Sequence, residues 1–65
     1  MIRRNIEAER IRRYLNKSEL AVLLGISVGT LDDWIKKRKA IPADKLRILS
    51  QLFDCSADYL LKERI

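Results

Sequence analysis

The sequence has no histidine and only one cysteine, Cys55. Without histidine, the chain lacks the commonest general base and the commonest metal ligand. A single cysteine excludes an intramolecular disulfide and a cysteine-based metal cluster. The sequence also lacks a glycine-rich phosphate loop and a carboxylate dyad of the kind that acid–base catalysis uses. We therefore expect no enzymatic activity, no metal, no cofactor and no small-molecule ligand.

Turn-forming residues and long apolar runs are also scarce. The chain has two glycines and one proline, which leave little material for hairpins and favour an all-α fold. The longest apolar run, Leu20 to Leu24, is far shorter than the ~20 residues of a membrane span, and no signal peptide is recognisable. We expect no membrane association and a reducing cytoplasm. The 65 residues predict one domain, 1–65.

Basic residues, in contrast, are abundant. The chain has 14 lysines and arginines against 9 aspartates and glutamates, which gives a net charge of +5. This excess suggests a polyanionic partner, most simply nucleic acid. The alternative is that the charge only keeps the protein soluble. The densest basic run, residues 36–39, begins where the most informative stretch of the sequence ends.

That stretch, Asn16 to Lys36, predicts two short helices joined by a tight turn. Asn16 and Glu19 have the spacing of a capping box at a helix start. Gly25 suits the left-handed residue that ends a helix, and Ser27 can cap the next one. The second helix has an apolar stripe, formed by Leu31, Trp34 and Ile35. Two short helices around a glycine-containing turn form a helix-turn-helix.

Burial of this stripe turns the opposite side of the second helix outward. Asp33 lies at the centre of that side with Gly29 and Lys36, Asp32 lies beside them, and Val28 lies at the exposed start. These are the positions that a recognition helix offers to a DNA groove, although an ordinary helical hairpin would show the same pattern. Trp34 could stack on a base, but its apolar neighbours favour the core. The two aspartates could read bases or simply be solvated.

The rest of the sequence predicts three more helices around the motif. The first spans Met1 to Tyr14, and its expected inward residues are Ile6, Ile11, Tyr14 and Leu15. Its expected solvated residues are Arg3, Arg4, Arg12 and Arg13. Arg10 lies on the same side as Ile6, so it needs a partner, which the sequence leaves open.

The fourth helix begins near Pro42, and the short fifth helix follows a predicted cap at Ser56. Cys55, between them, is expected to be a small core residue. One buried cluster is predicted, comprising Leu20, Ala21, Leu24, Leu31, Trp34, Leu46, Leu49, Phe53 and Leu60.

Three features together resemble the Cro/phage-repressor type of helix-turn-helix domain, the XRE family. They are NIEAERIRRYLNKSELAVLLGIS at residues 5–27, the Leu31-to-Trp34 spacing, and DCSADYLL at residues 54–61. The resemblance covers nearly the whole chain. It implies five helices, a motif formed by helices two and three, and a prokaryotic, nucleoid-associated regulator that binds operator DNA. The short chain without a sensing domain favours a Cro-like or other small regulator of a phage or mobile element.

The resemblance also implies roles for individual positions. Its base-contacting positions fall on Val28, Gly29 and Asp33, with Asp32 adjacent. Its phosphate-contacting positions fall on Lys17, Ser27, Lys36 and Arg38, and the basic run extends them to Lys39. The aspartates depart from the family's usual glutamine, arginine, serine or asparagine, but a carboxylate can accept a hydrogen bond from cytosine N4. Ile35 replaces a glutamate that often pairs with the arginine matched by Arg10.

Assembly is the last expectation. A reader of this size covers one half-site, so a two-fold dimer on a pseudo-palindromic operator is predicted. The candidate contact residues are Ala57, Tyr59, Leu61 and Ile65. Tyr59 could equally cap the core. A second function, a protein-interaction module on the same fold, stays open, with the aspartates as surface contacts.

Overall fold

The computed structural model describes residues 3–36 and 39–62. Over these ranges the chain forms five helices and no strand. They are α1 (Arg4–Arg12), α2 (Lys17–Leu24), α3 (Val28–Ile35), α4 (Ala43–Phe53) and α5 (Ala57–Leu61). The predicted all-α, five-helix fold is confirmed, with α2 and α3 as the helix-turn-helix.

The caps of α2 and α3 and the turn between these helices form as the local sequence predicts. The Asn16 side chain accepts a hydrogen bond from the Glu19 amide at 2.8 Å, and the Glu19 carboxylate accepts one from the Asn16 amide at 2.9 Å. Gly25 ends α2 with a φ of 68°, a left-handed conformation that glycine adopts without steric cost. The Ser27 hydroxyl caps α3 by accepting from the Thr30 amide. These caps satisfy backbone groups that a helix end leaves unpaired.

The core lies between all five helices. All the predicted core residues are buried in one cluster except Leu46, which is half-buried and packs against its edge. Ile6 from α1 and Ile35 from α3 complete the cluster. Burial of Leu31, Trp34 and Ile35 confirms the predicted rotation of α3.

The predicted inward face of α1 is partly wrong. Ile11 is 60% exposed and Tyr14 is 94% exposed. Ile11 lies about 140° around the helix from Ile6, so it cannot share the buried side. Tyr14 lies beyond the end of the helix, where the chain turns with a φ of 57°. Met1, the predicted start, lies outside the described residues.

Polar side chains fill part of the space between α1 and α5. Glu9 is only 2% exposed, and its carboxylate accepts hydrogen bonds from Arg13 at 2.6 Å and from the Tyr59 hydroxyl at 2.9 Å. Asn5, also buried, donates to the Tyr59 carbonyl at 2.7 Å. Arg13 was expected to be solvated, but it also donates to the Phe53 carbonyl and lies over the Phe53 ring. This network attaches α5 to α1.

Candidate nucleic-acid interface

The outward side of α3 is the centre of the candidate interface. Gly29 and Lys36 are exposed, and Val28 is exposed at the helix start. The side chains of Asp32 and Asp33 are more covered, with exposed fractions of 30% and 23%. Asp33 was expected at the centre of the outward face, yet it is the less exposed of the two. The outward side of α3 therefore begins with an exposed valine and glycine and carries two half-covered aspartates in its middle.

Asp32 forms an ion pair with the first residue of α2. The Lys17 Nζ atom lies 2.6 Å from the Asp32 Oδ1 atom, and the lysine donates a hydrogen bond to the carboxylate. Both side chains are about two-thirds covered. The contact therefore joins a candidate phosphate-contacting residue to a candidate base-contacting residue across the two helices of the motif.

A second lysine pairs with Asp33 from the loop after α3. The Lys39 Nζ atom lies 3.6 Å from the Asp33 Oδ2 atom, a longer contact made by a mostly exposed lysine. Because the contact is long and its lysine is mostly exposed, it contributes little to stability. Arg38, the other candidate in this loop, lies outside the described residues. Ser27, at the opposite end of α3, is exposed, and its hydroxyl is already engaged in the helix cap.

Arg3 anchors the C-terminal end of α3. Its guanidinium donates to the carbonyls of Trp34 at 2.9 Å and Lys39 at 3.1 Å, and its amide donates to the Ile35 carbonyl at 2.7 Å. A cation at this position complements the unpaired carbonyls of a helix end. Arg3 was expected to be solvated, but it is buried. Only its Nε atom lacks a hydrogen-bond partner among the buried side-chain atoms that the structure describes.

The partner of Arg10, which the sequence leaves open, is Glu7. Arg10 forms two hydrogen bonds to the Glu7 carboxylate, at 2.8 and 2.9 Å, and a third to the Leu15 carbonyl. The hydrogen bonds from Arg10 hold the pKa of Glu7 below its ordinary value, although burial opposes this shift. The same contact raises the pKa of Arg10. The pair within α1 thus compensates for the apolar residue at position 35.

Comparison with known proteins identifies this arrangement. The family model HTH_3, described as Helix-turn-helix, matches residues 6–60. The chain belongs to the Cro/C1-type helix-turn-helix family, also called the XRE family. It is therefore a DNA-binding helix-turn-helix regulator, in a family that is not typically enzymatic. Neither the curated proteins nor the solved structures gave a match.

In this XRE-family chain, the described part of the interface carries both lysines and aspartates. The described candidate contact residues that carry a charge are three lysines and two aspartates. They are Lys17, Asp32, Asp33, Lys36 and Lys39. Two of the lysines are paired to the aspartates, so Lys36 at the end of α3 is the clearest candidate for a phosphate contact.

Three of the four candidate dimer residues of this XRE-family chain lie on α5. Ala57, Tyr59 and Leu61 are half-buried, while Ile65 lies outside the described residues. Tyr59 turns its hydroxyl inward to Glu9, and this hydrogen bond raises the pKa of the phenol. The alternative that Tyr59 caps the core therefore fits its contacts, and any dimer contact would use the exposed edge of its ring.

The described residues of this XRE-family chain give no support to a metal site or to a membrane-spanning helix. No group of three or more histidine, cysteine, aspartate or glutamate side chains in residues 3–36 and 39–62 could hold a metal ion. None of the helices described is long and apolar enough to cross a membrane. Cys55 is half-buried and donates to the Phe53 carbonyl, and burial raises the pKa of its thiol. Cys55 therefore behaves as a small packing residue at the edge of the core.

Proposed function

We propose that this chain is a sequence-specific transcriptional regulator that binds double-stranded operator DNA through α3. The observation that supports this most is the orientation of α3, whose apolar stripe is buried while Val28, Gly29 and Lys36 are exposed. The resemblance to Cro and phage repressors favours a small regulator of a phage or mobile element, acting in a prokaryotic cytoplasm.

The base-reading group in this proposal is Val28, Gly29, Asp32 and Asp33. Val28 would contact a thymine methyl group, and Gly29 would let the backbone approach the groove closely. An aspartate would accept a hydrogen bond from cytosine N4, which is worth roughly 1–3 kcal/mol of discrimination. The proposed operator therefore contains thymine and cytosine within each half-site.

The phosphate-contacting group is Lys17, Ser27, Lys36, Arg38 and Lys39. The described members of this group lie at the two ends of α3 and at the start of α2, where the two DNA backbones would run beside a helix in the major groove. Phosphate contacts fix the position of the protein on the duplex but carry no sequence information.

The proposed binding unit is a homodimer on a pseudo-palindromic site. Two copies related by a two-fold axis would place their recognition helices in successive major grooves, with half-site centres ~34–36 Å apart. The exposed edges of Ala57, Tyr59 and Leu61, with Ile65, form the proposed contact.

Selection of binding sites from a random duplex pool tests this function. We expect enriched sequences with inverted symmetry and a half-site spacing of about one helical turn. Enriched sites without inverted symmetry would argue against the dimer but not against DNA binding.

The two aspartates on the outward side of α3 favour one alternative, a protein-interaction module on the same fold. A gel shift with random duplex at low and high salt separates the two functions. We expect binding at low salt that weakens as salt rises, because DNA association releases counterions. Complete absence of binding at low salt would favour the protein-interaction module.

A further inference from the structure

Arg3 joins the last turn of α3 to the chain that follows this helix. Its Nη1 atom donates hydrogen bonds to the Trp34 carbonyl at 2.9 Å and to the Lys39 carbonyl at 3.1 Å. A guanidinium Nη atom carries two hydrogens, so one atom can serve both carbonyls. The Arg3 amide also donates to the Ile35 carbonyl at 2.7 Å. The same residue therefore holds backbone groups on both sides of the end of α3.

The burial of Arg3 makes it a costly residue if its role is only structural. The residue is 8% exposed, and its Nε atom has no hydrogen-bond partner among the residues that the structure describes. A buried cation and an unpaired buried donor both oppose folding, and an apolar side chain would avoid both costs. What an arginine adds at this position is the connection between the two carbonyls.

Lys39, one of the two residues connected in this way, is a candidate phosphate contact. Its side chain is 65% exposed, and its Nζ atom lies 3.6 Å from the Asp33 Oδ2 atom. Asp33 belongs to the proposed base-reading group, so the ammonium lies beside the surface that would face the DNA. A long contact of a mostly exposed lysine leaves its ammonium able to bind phosphate. Arg3 therefore holds the backbone of Lys39 while the lysine side chain extends to the candidate interface.

We propose that Arg3 is a positioning residue for DNA binding, which fixes the backbone of Lys39 beside α3 so that its ammonium is held ready for phosphate. Arg3 is itself buried and makes no contact with the DNA. Holding Lys39 in place before binding reduces the entropy that is lost when the phosphate contact forms. This inference rests on the proposed DNA-binding function, and it gives Arg3 a role that it performs through Lys39.

Loss of the Arg3 side chain should weaken binding without changing sequence preference. A phosphate contact carries no sequence information, so a residue that positions one acts on all duplexes alike. Arg3→Met should therefore weaken binding to selected and scrambled duplexes equally, by roughly two- to tenfold, which is the cost of immobilising one long side chain. The variant should still fold, because the bond from the amide of residue 3 to the Ile35 carbonyl does not depend on the side chain.

The matched control is Arg4→Met, which removes the same charge from the next residue, an exposed one. Arg3→Gln and Arg4→Gln form a second matched pair, to be used if methionine at position 3 prevents folding. Glutamine keeps a polar group but is too short to reach the position of Nη1. Thermal melts identify a temperature at which all the variants are folded. Affinities for selected and scrambled duplexes are then measured at several salt concentrations.

A double-mutant cycle shows whether Arg3 acts through Lys39. In the parent, Lys39→Gln should make the slope of log K against log salt concentration shallower by about 0.9, because one phosphate contact is lost. In Arg3→Met, the same substitution should change the slope by less than about half as much, since the contact is already weakened. Lys17→Gln is the comparison, because it alters a candidate phosphate contact on α2 whose ion pair is with Asp32. Its effect should be the same with and without Arg3.

Two results overturn the inference while leaving DNA binding in place. If Arg3→Met weakens binding no more than Arg4→Met does, the loss of charge alone explains the effect. If Lys39→Gln changes the slope equally in the parent and in Arg3→Met, or not at all in the parent, Arg3 does not act through Lys39. If the parent binds neither duplex at low salt, the proposed function itself is wrong, and the inference falls with it.

Discussion

At the scale of single residues, Lys36 and Asp33 differ in what they are expected to do on DNA. Lys36 is exposed at the end of α3, where a phosphate contact would act on every sequence alike. Lys36→Ala should weaken binding to selected and scrambled duplexes equally and reduce the salt slope by about one unit. Affinities for both duplexes at several salt concentrations measure this effect.

Asp33→Ala should act on the difference between sequences instead. Removing this carboxylate reduces repulsion from phosphate, so binding to scrambled duplex should strengthen. Losing a cytosine contact should also reduce the difference in binding free energy between the selected and the scrambled duplex by roughly 1–3 kcal/mol. If Asp33→Ala leaves the ratio of the two affinities unchanged while Lys36→Ala alters it, the reading and positioning roles are assigned the wrong way round.

Tyr14 combines a left-handed backbone conformation with a large side chain. Its φ of 57° is left-handed, which is unfavourable for a bulky side chain, and its ring is 94% exposed. Tyr14→Gly should therefore raise the free energy of unfolding by about 1 kcal/mol, because it relieves the backbone without losing packing. Ile11→Gly is the control. It lies in the last turn of α1 and is also exposed, so thermal melts should show destabilisation of up to about 1 kcal/mol.

At the scale of helices, Glu9 decides how firmly α5 is held against α1. Hydrogen bonds from Arg13 and then from Tyr59 lower the pKa of Glu9, although burial opposes the shift. The ordinary pKa of a glutamate is 4.5, and folding lowers the pKa of Glu9 below this value. The ionised carboxylate therefore stabilises the protein fully at pH values above 4.5. This stabilisation is lost as the pH falls below that value towards the lowered pKa.

Glu9→Gln should test that dependence. At neutral pH the variant should lose about 1–3 kcal/mol, because the charged hydrogen bonds to the carboxylate are weakened. Denaturant melts of both proteins across pH 3–7, a range chosen from the direction of the shift, should show the difference shrinking below about pH 4.5. A difference that stays constant with pH would mean that shape, rather than charge, determines the effect at Glu9.

At the scale of the whole molecule, Trp34 connects the recognition helix to the core. It is 3% exposed, in a cluster with residues from all five helices. Trp34→Ala should cost about 3–5 kcal/mol, which is most of the stability available to so small a fold. Chemical denaturation measures the loss, with Leu23→Ala on the exposed side of α2 as a control expected to change stability by less than about 0.5 kcal/mol. A Trp34→Ala variant that unfolds like the parent would contradict the buried orientation of α3.

The sequence by itself determined the elements whose causes are local. The caps at Asn16, Ser27 and Ser56 all form, since each depends on a side chain and an amide only three residues apart. The glycine at the end of α2 and the apolar stripe of α3 are equally local signals. The outward positions of α3 follow from that stripe, because helical periodicity fixes one side of a helix once the other is buried.

Only the tertiary structure decided which polar groups are paired and buried. Glu9 and Arg3 look like surface residues in the sequence, yet their partners lie 50 and 31 residues away, at Tyr59 and Trp34. Lys17 and Asp32 are 15 residues apart, and they meet only because α2 crosses α3 at the turn. No periodic pattern encodes such pairs, since each depends on how two helices pack. The pairing of Lys17 and Lys39 with aspartates at the candidate DNA interface is therefore a property of the fold rather than of any single stretch of sequence.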